Sequence, residues 1–265
     1  MADPGSGPPG AAVLSGRSRD PFTARAGGTA TVTSAPPLVG GIIAAGEGSR
    51  LREAGFPVPK PMVRVAGVPL LESVIRNFAA AGIARISIIV NERERDCVEW
   101  ASGRFPDITL DWTVKTTASS LESFAIVAGG PAAGRMLIST VDAWCRPADF
   151  AGFVEAARRR PEETTVLGLT PLVADEKPLG ARIDGRGRIT ALGIPEPALV
   201  TAGMYLVSAR ARRLAPGAPC ARLRDYLGWL LKEGEPMYGE TIETVVDVDR
   251  AEDVALAESL AARPS

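Results

Sequence analysis

The sequence predicts an α/β fold, a single three-layer α/β/α domain on a mostly parallel, Rossmann-like sheet, with an antiparallel hairpin inserted late in the chain. Three observations predict it. From Leu38 onward, short apolar runs alternate with amphipathic stretches, the rhythm of a parallel sheet covered by helices. The rhythm breaks once, where Gly185-Arg186-Gly187 joins two short strand-like runs. The chain has 265 residues, 46% hydrophobic and 23% charged, enough apolar material for one sizeable core.

Residues 1–36 stand apart. They are rich in Gly, Pro, Ala, Ser and Thr and poor in bulky apolar side chains. Such a segment cannot bury enough surface to offset its ordering entropy, so a disordered extension is expected before a domain at 37–262. Leu38 to Ala45 then reads as a buried strand running into a glycine turn. Pro69 to Ala81 carries Leu70, Leu71, Val74, Ile75 and Phe78 on one helical face. Arg85 to Val90 is a strand, and Glu92 to Ala101 a charged helix. Thr109 to Thr113 is a short strand, Leu121 to Ala128 a helix, and Met136 to Ser139 a buried strand leading to Asp142. A helix from Ala148 to Arg159 precedes the strand Thr165 to Thr170. The hairpin pairs Gly180–Asp184 with Arg188–Leu192. A strand at Val200 to Val207, helices near Ala211 and over Arg222–Glu233, a strand at Glu243 to Val248 and a helix over Ala251–Ala261 complete the chain.

Composition excludes several chemistries. There is no histidine, which removes Ser-His-Asp and Cys-His catalysis and imidazole bases. A net charge of −1 gives no global field for nucleic acid or an acidic membrane. Cys97, Cys145 and Cys220 lack C-x-x-C spacing and read as packed thiols in a reducing, cytoplasmic setting. No apolar run approaches the ~18 residues of a transmembrane helix. What remains is work by carboxylates, Lys, Arg, backbone amides or an oxygen-held metal.

The first strand feeds Ala44-Ala45-Gly46-Glu47-Gly48-Ser49-Arg50-Leu51. A glycine turn after a strand presents backbone N–H groups to phosphate oxygens without an intervening Cβ. A dinucleotide fingerprint would need glycine at Leu51, and a P-loop would need Gly-Lys-Ser/Thr, so neither applies. Arg50 lies in the turn, and Pro59-Lys60-Pro61 follows, placing two cations beside one phosphate-sized cradle.

Residues 44–72, AAGEGSRLREAGFPVPKPMVRVAGVPLLE, resemble the signature of the sugar-phosphate nucleotidyltransferases (nucleotide-sugar pyrophosphorylases): G-x-G-T/S-R-L, a spacer, P-K-P, then G-x-P-L/M-L/I. The resemblance implies the nucleotide-diphospho-sugar transferase type of α/β fold and Mg²⁺-dependent transfer of a nucleoside monophosphate from an NTP to a sugar 1-phosphate, releasing pyrophosphate. It implies that Ala45, Gly46, Gly48 and Ser49 cradle the nucleotide, with Arg50 and Lys60 on the reacting phosphates. Thr117-Ala118-Ser119-Ser120-Leu121 stands where the family has G-T-A, making Ser119 a nucleotide contact. Asp142, after a strand end where the family has Gly-Asp, would be one metal ligand. Asp247, in Val246-Asp247-Val248-Asp249, would be the other, and Asp249, two residues on, could share the role. Thr201-Ala202-Gly203-Met204-Tyr205 resembles the sugar-binding N-A-G-x-Y, assigning Thr201 and Gly203 to the acceptor. Asp175-Glu176-Lys177-Pro178 is similar to the family's E-K-P but precedes the hairpin instead of following it, so Lys177 is read as a loop lysine.

The chemistry suits a histidine-free protein. A phosphate-monoester oxygen is already anionic and needs no general base, so catalysis amounts to alignment and neutralisation of two polyanions. Three alternatives stay open: the same transfer to a polyol phosphate or phosphocholine, transfer to a molybdopterin-type cofactor, and a catalytically silent nucleotide-binding relative. The P-K-P and G-x-P-L-L-E segments argue against the cofactor branch. Homo-oligomers are common in the family, and with so short a stretch after the last helix an appended β-helical domain is not expected.

Overall fold

The computed structural model describes residues 37–172 and 178–263, together with Met1. Residues 2–36 of the extension and the Asp175-Glu176-Lys177 part of the E-K-P-like segment lie outside the described residues. In chain order the elements are β1 (Val39–Ala44), α1 (Ser49–Glu53), β2 (Arg64–Val65), β3 (Val68–Pro69), α2 (Leu70–Ala80), β4 (Arg85–Val90) and α3 (Asp96–Ala101). They continue with β5 (Thr109–Val114), α4 (Ser120–Ala128), β6 (Met136–Thr140), β7 (Ala143–Cys145), α5 (Pro147–Arg158), β8 (Thr165–Thr170), β9 (Gly180–Ile183) and β10 (Ile189–Leu192). The last are β11 (Leu199–Val207), α6 (Ala209–Leu214), α7 (Leu223–Lys232), β12 (Met237–Thr241), β13 (Val245–Asp247) and α8 (Ala251–Ala261).

Among the described residues, nine strands form one mixed sheet. Its spine runs β5-β4-β1-β6-β11-β8-β12, with β11 antiparallel to its neighbours and the other spine strands parallel. The β9–β10 hairpin branches from the N-terminal half of β11. The expected α/β fold with an antiparallel hairpin insertion is therefore the fold observed. In the hairpin turn, Asp184 Oδ1 accepts from the backbone N–H of Arg186 (2.8 Å) and Arg188 (2.9 Å).

Two cores lie on opposite faces of the sheet. Ile42, Ile86, Ile88 and Leu137 pack against one, with Phe78 of α2 and Phe150 of α5 meeting at a ring separation of 5.3 Å. Ile89, Met136 and Ile138 pack against the other, beneath Phe124 of α4 and Tyr226 of α7, 5.7 Å apart. Alternate residues of β4 and β6 thus feed alternate cores, the period of two that a sheet covered on both faces requires.

Several elements were not expected from the sequence. The glycine turn runs into a helix of only five residues, α1. The expected helix over 92–101 is a 3-10 turn at Glu92–Glu94 followed by α3, because Asn91 Oδ1 accepts from Arg93 N–H (3.1 Å) and caps the first turn. Strand β12 pairs in parallel with β8 at the sheet margin. Short strands β7 and β13 form a separate antiparallel ladder that matters for the site.

One buried cation organises a connection. Arg212 of α6, 9% exposed, donates from Nε to Ala128 O (2.8 Å) and from Nη1 to Ala132 O and Gly134 O (2.7 Å each). Its Nη2 donates to Gly130 O (2.8 Å). One guanidinium thereby satisfies carbonyls at the end of α4 and along the link to β6.

Candidate active site

In an open α/β sheet, ligands bind beyond the carboxyl ends of strands where the connections diverge. Here that point lies between β1 and β6, which pair in parallel while β1 pairs with β4 on its other side. The backbone N–H of Val141 bonds Ile43 O (3.0 Å) and holds the two strand ends together. The glycine turn leaves one end and Asp142 leaves the other.

The loop from Ala45 to Gly48 and the start of α1 are shaped around Lys60. Ala45 packs into a core, so only its backbone faces the turn. A Cβ on Gly46 would meet nothing within 4 Å, so that face is open to a ligand. Gly48 has φ +57°, and a Cβ there would fall 2.8 Å from Lys60 Cβ. Glycine is required at Gly48 twice over, by its dihedral and by the lysine stem beneath it. Pro59 and Pro61 flank Lys60 in a 3-10 turn closed by Met62 N–H to Pro59 O (2.8 Å).

Lys60 is 7% exposed, and its ammonium bridges two carboxylates: Asp142 Oδ2 at 2.5 Å and Asp249. Arg50 Nη1 donates to Asp249 Oδ2 at 3.1 Å. Asp247 reaches the cluster because β13 pairs antiparallel with β7, setting Asp247 opposite Ala143, one residue past Asp142. Val248 N–H bonds Asp142 O (3.0 Å) and locks that alignment. Carboxylate oxygens of Asp142, Asp247 and Asp249 lie within 4.8 Å of one another. Asp253 plays no part in this cluster: its Oδ2 accepts from the N–H groups of Asp249 (3.0 Å) and Arg250 (2.8 Å) and closes the start of α8.

The electrostatics follow from this packing. Burial pulls the Lys60 pKa down, but Asp142, Asp249 and Asp247 together outweigh it and hold the ammonium charged. Burial pushes Asp142 up, while Lys60 and the Thr140 hydroxyl more than compensate, so its carboxyl titrates below the usual range. The Lys60–Asp142 pair therefore persists above the ordinary carboxylate pKa and is lost only as pH falls beneath it.

A cavity of about 320 Å³ opens beside Asp142 and Asp247. Thr201, Gly203 and Tyr205 of β11, Thr140, Thr170, and Arg222 and Arg224 at the start of α7 line it with Leu179, Val200, Leu223 and Leu227. Gly203 sits in a bulge of β11 at φ +70°. A Cβ there would come within 2.6 Å of Thr140 Oγ1 and 2.9 Å of Ala143 Cβ. The glycine thus lets the chain's own Asp142 turn approach the strand, whatever ligand the cavity takes. Tyr205 has its pKa raised by burial and then by Asp142 and Asp247, and it hydrogen-bonds Thr201.

The structure brings Arg50, Lys60, Asp142 and Asp247 together and places Thr201 and Gly203 on the adjoining cavity wall. Ser119 is the N-cap of α4, its Oγ accepting from Glu122 N–H (3.1 Å). Sequence reasoning missed Arg222 and Arg224, which it includes in the helix over Arg222–Glu233 without assigning them a role. It also understated Asp249, the acid on which both loop cations converge. Cys97 and Cys145 are buried and Cys220 half-buried, none in a disulfide. Burial, then neighbouring acids, pushes the Cys97 thiol up to about 12, so it is chemically quiet.

A second cleft runs beneath the loop between Glu47, Arg52 and Phe56 on one side and Asn91, Glu94 and Trp100 on the other. Glu94 is 4% exposed, and its Oε2 has no hydrogen-bond partner. Burial raises it to about 7, against the lowering influence of the Asn91 N–H, Arg52 and Lys60. The folded state thus holds this proton more tightly than the unfolded chain, so stability falls as pH rises from ordinary glutamate values toward 7. Glu94→Gln removes that loss: about 1–3 kcal/mol of added stability at pH 8 and almost none near pH 4.5. Urea unfolding at the two pH values measures it, and an equal effect at both would contradict the assignment.

Comparison with known proteins adds the family. Residues 40–192, more than half of the chain, match the model of the MobA-like NTP transferase domain. The 2-aminoethylphosphonate cytidylyltransferase of Lancefieldella rimae is 37% identical over 70 residues, which cover 26% of this chain and 28% of that one. The bifunctional IPC transferase and DIPP synthase of Rubrobacter xylanophilus is 27% identical over 232 residues, 83% of this chain and 51% of that one. The matched stretches thus span about half or less of these relatives' own lengths. Among solved structures, the inositol-1-phosphate CTP transferase from T. maritima superposes with a TM-score of 0.72 at 18% identity, covering 86% of this chain and 98% of that one, a likeness of fold. Among the described residues no helix is long and apolar enough to cross a membrane. The chain belongs to the MobA-like NTP transferase domain family.

Proposed function

We propose that the protein transfers a nucleoside monophosphate from an NTP, with CTP preferred, to a small phosphate- or phosphonate-bearing acceptor and releases pyrophosphate. The observation that carries this reading is the convergence of Lys60, Arg50 and three carboxylates at the meeting of the glycine turn and the cavity.

The three carboxylates supply only oxygen donors and one more negative charge than Lys60 and Arg50 neutralise, which fits Mg²⁺. Held by Asp142 and Asp247, with Asp249 at hand, Mg²⁺ would neutralise phosphate charge and align the reactants. Gly46, Gly48 and Ser49 present backbone N–H groups to the triphosphate, while Arg50 and Lys60 balance charge on the departing pyrophosphate. In the cavity, Arg222 and Arg224 hold the anionic head of the acceptor, and Thr170, Thr201 and Tyr205 offer hydroxyls to its body. The acceptor oxygen bonds to the α-phosphorus, the bond to the β-phosphate oxygen breaks, and pyrophosphate leaves with that electron pair. No proton need be removed, in keeping with a chain without histidine.

Two similar proteins are named for CTP or cytidylyl transfer, one to an aminoalkylphosphonate and one to inositol 1-phosphate, which supports the donor and the acceptor class. Transfer to a sugar 1-phosphate is the second reading, favoured by the Thr201–Tyr205 segment on the cavity wall. The test is pyrophosphate release from each of the four NTPs with inositol 1-phosphate, 2-aminoethylphosphonate, phosphocholine or glucose 1-phosphate, with Mg²⁺ or EDTA. Turnover is expected with CTP and one of the first three acceptors, and only with the metal. Silence across the grid with NTP still bound would instead identify a non-catalytic nucleotide binder.

A further inference from the structure

The groups that should hold the triphosphate and those that should hold the metal are bound to each other. Lys60 bridges Asp142 and Asp249, and Arg50 also donates to Asp249. We propose that Lys60 is a built-in counter-ion for the carboxylate trio, which a divalent cation displaces and the triphosphate then receives, so that metal and nucleotide bind with positive coupling set by Lys60. The proposal rests on the reading of Lys60 and Arg50 as triphosphate contacts and deepens it.

Charge balance leads there. Three carboxylates with oxygens within 4.8 Å repel one another strongly unless a cation sits among them. At 7% exposure, Lys60 is shielded from water, and its removal would leave the half-buried Asp142 without its cation and Asp249 with Arg50 alone. A divalent cation and an ammonium at the same oxygens would repel in turn. Each state therefore holds one of them. Metal arriving alone must expel Lys60 with nowhere favourable to put it, and nucleotide arriving alone must draw Lys60 and Arg50 away from carboxylates left bare. Arriving together, each ligand frees the partner of the other, and linkage makes the gain reciprocal. The backbone is built for an exchange of side-chain position alone. Pro59 and Pro61 pin Lys60, and Gly48 packs on its stem at a φ few other residues adopt.

Two binding measurements without turnover test it. Mn²⁺ titrated by electron paramagnetic resonance, with no nucleotide present, should bind Lys60→Met and Lys60→Gln about tenfold more tightly than the unmodified protein. A fluorescent CTP analogue in EDTA should bind Asp249→Asn at least about fivefold more tightly, because Lys60 and Arg50 lose one carboxylate competitor. Unchanged or weaker Mn²⁺ binding in both Lys60 variants, with thermal melts showing them folded, overturns the proposal. If they do not fold, the Asp249→Asn arm decides it, and unchanged or weaker nucleotide binding there overturns it. Failure of the unmodified protein to bind the analogue even with Mg²⁺ would sink the nucleotidyl-transfer reading instead, leaving the Mn²⁺ comparison to decide the counter-ion role.

Discussion

Asp142→Asn should lower kcat/KM for nucleotidyl transfer by about 10³-fold, roughly 4 kcal/mol of transition-state stabilisation, while the domain stays folded. The amide keeps the shape and the Thr140 contact but removes the charge at the end of β6 around which the site is arranged. Stability should fall only by about 1–2 kcal/mol, because Lys60 retains Asp249 as a partner. Asp247→Asn should match it in rate, since β13 sets that carboxylate beside the Asp142 turn. Steady-state kinetics on the three single variants decides the ligand set. If Asp247→Asn keeps a near-normal rate while Asp249→Asn loses it, the metal belongs to Asp142 and Asp249.

The largest effect on stability should come far from the chemistry. Arg212→Ala is expected to cost about 3–5 kcal/mol in urea unfolding, because it strands carbonyls at Ala128, Gly130, Ala132 and Gly134 that one guanidinium now satisfies. Arg212→Lys should recover only a minor part, since a single ammonium cannot span the planar fork of donors. A cost below about 1 kcal/mol for the alanine variant would mean that water replaces the guanidinium at these carbonyls. The rate of nucleotidyl transfer per folded molecule should change little in either variant.

The elements legible in the sequence were those whose local pattern matches their final burial. Arg85–Val90 and Thr165–Thr170 are apolar or β-branched runs that are buried along nearly all their length, and both were read at those bounds. Strand β12, Met-Tyr-Gly-Glu-Thr, was not read: its mixed polarity suits a margin of the sheet, and only pairing with β8 makes it a strand. Helix α1 has five residues, too few for a periodic pattern, and forms because the glycine turn delivers the chain onto Lys60. The site divides the same way. Lys60, Asp142 and Asp247 stand in recognisable strings, whereas Asp249 acquires its role from Arg50 and Lys60, which no spacing reveals. Arg222 and Arg224 owe their place on the cavity wall to the direction in which α7 begins.

The ladder between β7 and β13 has a consequence for when the protein can work. Lys60 and Asp142 are 82 positions apart, Lys60 and Asp249 189, and Arg50 and Asp249 199. Contacts of such separation carry the greatest loop-closure entropy, and on a ribosome they must wait for the chain itself. A nascent protein with β1, β4 and β6 already paired would hold the glycine turn and its two cations without Asp247 or Asp249. Until Val245–Asp249 emerge and dock against Ala143–Cys145, the two cations have Asp142 as their one acid of the three, and the surface attracts anions. The three-carboxylate cluster is therefore completed late and abruptly, with the docking of one three-residue strand, and under the proposed function competence for catalysis comes with it.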